Sequence, residues 1–190
     1  MKAAFSALLL AGGASTRMGR PKALLEFEGM PLWRRQARLL QSLGPQELMI
    51  SAGVDWEVEA GPWTIVRDRA PGMGPLGGLA VALETMAADL LLVLAVDMPG
   101  MSAGYLGQLL ASAGQGGVVP EENGVYHGLG AVYPRSLGAL VGEALAGEDR
   151  SVQSVVRRAV REGLVTPRPI APGEEGLFRN VNRPEDLRPQ

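Results

Sequence analysis

The sequence predicts an α/β fold: one domain over residues 1–190 with a mostly parallel sheet and helices on both faces. Two observations predict it. Strand-like and helix-like segments alternate through the first two thirds of the chain, the order in which crossover helices pack against parallel strands. One strand, LLLVLAV at residues 90–96, is apolar without alternation, as a central strand buried on both faces must be.

The elements follow in order. Residues 4–10 (AFSALLL) form the first strand. Residues 31–43 form a helix: Pro31 suits its first turn, Leu32, Gln36, Leu39, Leu40 and Leu43 share a side, and Gly44-Pro45 stops it. Residues 48–51 and 64–66 are short strands. A helix starts near Pro75, with Leu76, Leu79, Ala80, Leu83 and Ala87 at helical spacing. Its Gly77 and Gly78 allow a close approach of backbone or ligand near the helix N-terminus. After the strand at 90–96 come a helix at 105–113, strands at 117–119 and 128–133, and helices at 134–145 and 151–162. The last of these carries Val152, Val155, Val156, Ala159 and Val160 on one face and Arg157, Arg158 and Arg161 mostly opposite. Asn182 caps a short terminal helix beginning near Pro184.

Composition sets limits on function. Apolar residues make up 46% and charged residues 20% of 190, with a formal charge of −2, which argues against disorder and offers no polycationic face for nucleic acid. The Arg34/Arg35/Arg38 and Arg157/Arg158/Arg161 groups read as solvated or ion-paired helix faces. No cysteine is present, removing disulfides, thiolate metal sites and cysteine nucleophiles together. The apolar N-terminus lacks a cleavage site and no run reaches membrane-spanning length, so the cytoplasm is the expected location and no membrane partner is expected.

The richest segment is LAGGASTRMGRPK at residues 10–22. It joins a strand to a small-residue loop ending in two cations. Ala11, Gly12, Gly13 and Ala14 are small enough for backbone N–H groups to approach phosphate oxygens, and Arg17 and Lys22 add a guanidinium fork and a point charge. Neither a Walker A loop nor a GxGxxG fingerprint fits the spacing. Ser15 has no partner arrangement that would make it a nucleophile and reads as a phosphate or loop contact.

In an open parallel sheet, ligands bind beyond the C-terminal ends of strands. Asp68 and Asp97 also sit at such ends. Asp97, directly after the central strand, suits a hard cation such as Mg2+ that shares its shell with phosphate oxygens. Asp68 either orders its own loop or holds the ribose or base of a nucleotide. His127 is the sole histidine, a loop residue or a contact to a second substrate. Asn180 and Asn182 straddle Val181 and share a face if the segment is extended; they serve either turn and cap chemistry or recognition of an acceptor.

On these residues the chain resembles the MobA-like nucleotidyltransferase family, and within it the molybdenum cofactor guanylyltransferases. LAGGASTRMGRPK, ALLEFEGMPLW, GPLGGL, DMP, GEDRSVQSVV and NVNRPEDL are similar to the family's successive blocks, over nearly the whole length. The resemblance implies a Rossmann-like nucleotidyltransferase fold. It also implies Mg-dependent transfer of GMP from GTP to molybdopterin, with pyrophosphate released. Carried over, Leu10, Ala11 and Gly12 contact the nucleotide, Lys22 its phosphates, Asp68 the nucleoside part and Asp97 the Mg2+, while Asn180 and Asn182 lie toward the pterin or the metal; Gly13 and Arg17 join the nucleotide site on the reading of the loop itself. Transient contact with molybdenum cofactor synthesis or acceptor proteins is a further implication. One departure stands out: where the family often has Asn at the end of the second strand, LMISAG supplies Ser51. Ser51 remains the candidate nucleotide contact there, and the resemblance leaves room for a cytidylyltransferase, for a relative using another small acceptor, or for a non-catalytic nucleotide-binding protein.

Overall fold

The structure is a computed structural model that describes residues 4–12, 21–52, 61–69, 72–181 and 186. Among these, the first strand β1 (Phe5–Leu10) lies in the middle of the sheet. Its residues alternate between two cores. Phe5, Ala7 and Leu9 enter one, and Leu8 and Leu10 the other, the period-two consequence of an extended backbone. All six residues of β1 are buried, and its one polar side chain is satisfied: the Ser6 hydroxyl donates to the Glu47 carboxylate at 2.7 Å and accepts the Ala88 N–H at 3.2 Å.

A turn at Lys22–Leu24 and a two-stranded hairpin, β2 (Glu26–Phe27) with β3 (Met30–Pro31), lead into helix α1 (Leu32–Ser42). Then come β4 (Leu48–Ser51), β5 (Thr64–Val66), α2 (Gly74–Thr85), β6 (Leu90–Ala95), α3 (Ala103–Ser112), β7 (Gly117–Glu122), β8 (Val125–Tyr126) and β9 (Gly130–Pro134). A turn at Arg135–Leu137, α4 (Gly138–Ala146), α5 (Val152–Arg161), β10 (Val165–Pro169) and a turn at Glu175–Phe178 complete the order. The sheet runs β10-β7-β9-β6-β1-β4-β5, with β8 paired to β7. From β6 through β1 and β4 to β5 every pairing is parallel. β9 runs antiparallel to both β6 and β7, and β10 returns parallel to β7.

Helices cover both faces. α1 and α3 pack on the first core through Leu32, Ala37, Leu40, Leu106 and Leu109. α2, α4 and α5 pack on the second through Leu76, Leu83, Val141, Val156 and Ala159. No helix among the described residues is long and apolar enough to cross a membrane.

The expected α/β class is what the structure has, with local differences. α2 ends at Thr85, leaving Ala87 outside it and exposed. The helix expected over 134–145 begins as a 3-10 turn at Arg135–Leu137, and the strand expected over 117–119 runs on through Pro120 to Glu122. The 26–31 hairpin and β10 have no counterpart in the sequence reading. β10 contains Pro167 and Pro169, which mask a strand signal but are tolerated because β10 pairs with β7 alone, at the sheet edge.

Candidate active site

β4 lies on one side of β1 and β6 on the other. The chain leaving β1 goes on to a strand on one side of this pair and the chain leaving β6 to strands on the other, the arrangement beyond whose C-terminal strand ends an open α/β sheet offers a ligand crevice. Lys22 and Asp97, 75 positions apart in sequence, meet there: the Lys22 ammonium donates to Asp97 Oδ2 at 3.2 Å. The two side chains keep 26% and 22% of their surface exposed, so the pair faces the crevice instead of closing into the core. Lys22 is placed by its turn, where Leu24 N–H donates to Pro21 O and Leu25 N–H to Lys22 O. Asp97 is placed by the end of β6, since Val96 N–H donates to Leu10 O at 3.0 Å.

The β1 side differs in one respect from expectation. Ala11 N–H donates to Ser51 O at 2.9 Å, so that donor continues the sheet and is not offered to a phosphate. Ala11 is buried, and Gly12 is the first exposed residue past the strand. Gly13, Ser15, Arg17 and Asn182 lie outside the described residues.

On the β4–β5 side, Ser51 and Asp68 converge on the start of α2. A Cβ at Gly78 would overlap Ser51 Oγ and stand 2.7 Å from Ser51 Cβ and 3.2 Å from Leu10 Cδ2. One at Gly77 would stand 2.6 Å from Asp68 Cγ. The two glycines thus let Leu10, Ser51 and Asp68 gather over one helix turn. Partial burial pushes the Asp68 carboxyl above the ordinary carboxylate range, and among the described residues it has no hydrogen-bond donor that would offset this.

The opposite flank, around β9, is more apolar. Because β9 is antiparallel, its N-terminal end reaches the same rim, and Leu129 O accepts Ala95 N–H at 2.7 Å. His127 leans on Phe178 with ring centroids 4.5 Å apart. Its Nε2 is buried without a partner among the described residues, and burial holds the imidazole below its usual pKa against the opposing pull of Glu122. Phe178 stands edge-on to Tyr105 at 5.3 Å, and the Arg168 guanidinium lies 4.6 Å from the other ring. These contacts fix the Glu175–Phe178 turn. The chain that follows reaches the crevice, where Val181 N–H donates to Asp97 O at 2.8 Å. Val181 is buried and Asn180 exposed.

The geometry brings together Leu10, Ser51 and Asp68 on one flank, Lys22 and Asp97 at the centre and Asn180 beside the segment bonded to Asp97. Among the described residues no group of three or more His, Asp or Glu side chains forms a cage for a metal. Asp97 offers a hard oxygen already facing a cation, which fits a divalent ion that takes one carboxylate and completes its shell with phosphate and water. Sequence reasoning did not assign a functional role to Gln36 or Arg35, whose side chains reach the backbone beyond Asp97. The signal was a glutamine within the apolar stripe of α1.

The MobA-like NTP transferase domain family matches residues 7–163. A probable molybdenum cofactor guanylyltransferase of Opitutus terrae is 37% identical over 190 residues, covering 96% of this chain and 93% of that protein. The molybdenum cofactor guanylyltransferase of Xanthomonas euvesicatoria is 35% identical over 189 residues, covering 95% and 91%. Among solved structures, molybdopterin-guanine dinucleotide biosynthesis protein A from Archaeoglobus fulgidus matches with a TM-score of 0.72 at 22% identity over 96% of this chain and 94% of that one. The 2-C-methyl-D-erythritol 4-phosphate cytidylyltransferase of Thermus thermophilus matches at 0.69 and 18% identity over 95% and 94%. At such identities these two likenesses are of fold. The chain belongs to the MobA-like NTP transferase family and is a nucleotidyltransferase.

Proposed function

We propose that this enzyme transfers GMP from GTP to the terminal phosphate of molybdopterin, forming the guanine dinucleotide and releasing pyrophosphate. The observation that carries the reading is the Lys22–Asp97 pair at the point where the strand order reverses. Phosphoryl-type transfers need charge neutralisation and in-line placement more than a protein nucleophile.

In this reading an acceptor phosphate oxygen attacks the α-phosphorus, a P–O bond forms, and the bond to the bridging oxygen breaks with its electron pair leaving on pyrophosphate. Lys22 and Arg17 hold the triphosphate. Leu10, Ala11, Gly12 and Gly13 line its path, while Ser51 and Asp68 accept or donate hydrogen bonds to the nucleoside. Asp97 holds Mg2+, which supplies Lewis-acid stabilisation of the phosphate charge. Asn180 and Asn182 face the acceptor, and His127 and Phe178 supply the apolar wall of its side. We take residues 1–190 as one catalytic domain acting in the cytoplasm, with any contact to cofactor-synthesis or acceptor proteins transient.

Ser51 favours a second reading, cytidylyl transfer, because a hydroxyl cannot present the separate donor and acceptor groups of an amide to guanine. The test is incubation with Mg2+, molybdopterin and each of GTP, CTP, ATP and UTP, following dinucleotide and pyrophosphate. Product from GTP is expected, and Asp97→Ala should lower turnover at least about 100-fold. Product from CTP alone overturns the guanine assignment, and no product from any nucleotide overturns catalysis.

A further inference from the structure

Among the described residues the turn after Asp97 is held at three consecutive carbonyls: besides its own Met101 N–H, which donates to Met98 O at 3.1 Å, each carbonyl receives a donor from outside the turn. Val181 N–H takes Asp97 O at 2.8 Å, Gln36 Nε2 takes Met98 O at 2.5 Å and Arg35 Nη1 takes Pro99 O at 2.7 Å. Gln36 is wholly buried in the middle of the apolar face of α1. An amide there costs stability unless both halves are paired, and both are: its Oε1 accepts Arg35 Nη1 at 3.4 Å. Arg35 is oriented by the Phe27 ring, 5.1 Å from its guanidinium carbon, and by Glu28 at 3.8 Å. It is therefore not the solvated or merely ion-paired arginine that its place among Arg34 and Arg38 suggested. From the other side, Gly100 packs so closely on the Glu175–Phe178 turn that a Cβ would stand 2.6 Å from Gly176 O.

One short segment supplies both ends of this arrangement. Lys22 bonds the Asp97 side chain, and Arg35 and Gln36, beyond the hairpin in the first turns of α1, bond the backbone that follows it. The turn, the hairpin and α1 are joined by Leu32 N–H donating to Leu25 O at 2.9 Å. The distance from ammonium to carboxylate is thereby set within one packed unit.

We propose that Gln36, supported by Arg35, is a positioning residue for nucleotidyl transfer: Gln36 holds the Met98 carbonyl, Arg35 the Pro99 carbonyl, and together they fix the direction of the Asp97 carboxylate. The proposal rests on the reading that Asp97 holds the divalent ion. Mg2+ demands near-ideal octahedral placement, and a displacement of about 1 Å at a reacting centre can cost about 100-fold.

The test uses Gln36→Met, of similar length but without the donor, and Arg35→Met, whose site is partly exposed and tolerant. Mn2+–GTP is titrated with each protein and followed by EPR and water-proton relaxation, without acceptor and so without turnover. The dissociation constant should rise about tenfold in Gln36→Met and about threefold in Arg35→Met, with a changed bound Mn2+ line shape. A purely structural role would lower the melting temperature and leave both signals of the folded protein unmoved. Asp97→Asn separates the two levels. If it abolishes Mn2+–GTP binding while both other variants bind within twofold of the parent, the positioning role is overturned. If Asp97→Asn itself binds normally, the metal reading falls first. Should Gln36→Met fail to fold, Arg35→Met decides.

Discussion

Gly78→Ala tests whether the junction of α2 with β1 and β4 is as tight as the structure makes it. The added Cβ would stand 2.7 Å from Ser51 Cβ, against an ordinary contact of at least 3.4 Å, so about 0.7 Å must be found. Ser51 Oγ can rotate away, but Ser51 Cβ moves only with the end of β4, held in register between Leu10 and Val66. Overpacking of this kind costs about 1–3 kcal/mol, while alanine in place of glycine favours a helix by about 0.5–1 kcal/mol. At the middle of both ranges the net loss is about 1.3 kcal/mol, and at about 2–4 °C per kcal/mol for a chain of this size the melting temperature should fall by about 3–5 °C. Gly142→Ala in α4 is the control, because nothing lies within 4 Å of its added methyl. It should raise the melting temperature by about 2–4 °C. Thermal unfolding by circular dichroism reads both, and adding Ser51→Gly to Gly78→Ala should restore part of the loss. A Gly78→Ala protein that melts at or above the parent, as the control does, would refute the packing argument.

Two further outcomes follow from the perturbed titrations. The raised Asp68 carboxyl means the folded state holds that proton more tightly than the unfolded one. Its stabilisation is complete below the unfolded value of about 4 and is lost as pH rises through the folded value. Asp68→Asn should therefore melt higher than the parent at pH 7, with the gap closing as pH falls toward 4, while GTP binding weakens about tenfold; a lower melting point at pH 7 or unchanged binding contradicts this. His127 is shifted the other way. The unfolded chain takes up its proton below about pH 6.5 before the folded chain does, so stability declines as pH drops through that window. His127→Gln should decline less over the same range in a pH series of melting curves, and parallel slopes would exclude the assignment.

Strands β1 and β6 were legible because a buried parallel strand writes itself as an unbroken apolar run, and their ends carried the crevice residues with them. The glycine pair in GPLGGL was legible as a close approach, although only the fold identifies Ser51 and Asp68 as what approaches. β10 was not legible because two prolines hide a strand whose single-sided pairing tolerates them. The loss of the Ala11 donor was also beyond reach, since it depends on which strand lies alongside. Gln36 shows the limit most clearly. Its helical position placed it among leucines, but its partner, the Met98 carbonyl, lies 62 positions away, and no local pattern encodes that pairing.

The reversed direction of β9 divides the labour of the molecule by chain order. Residues up to 97 build the centre and the flank carrying Ser51 and Asp68, whereas the flank carrying His127 and Phe178 is assembled from later residues entering a strand at the rim instead of leaving one. The two flanks meet along the β6–β9 pairing, the Ala95–Leu129 bond and the Asp97–Pro99 turn. On the proposed function, a lineage can therefore retarget what receives the nucleotide by substitutions in its second half while inheriting unchanged the means of gripping it.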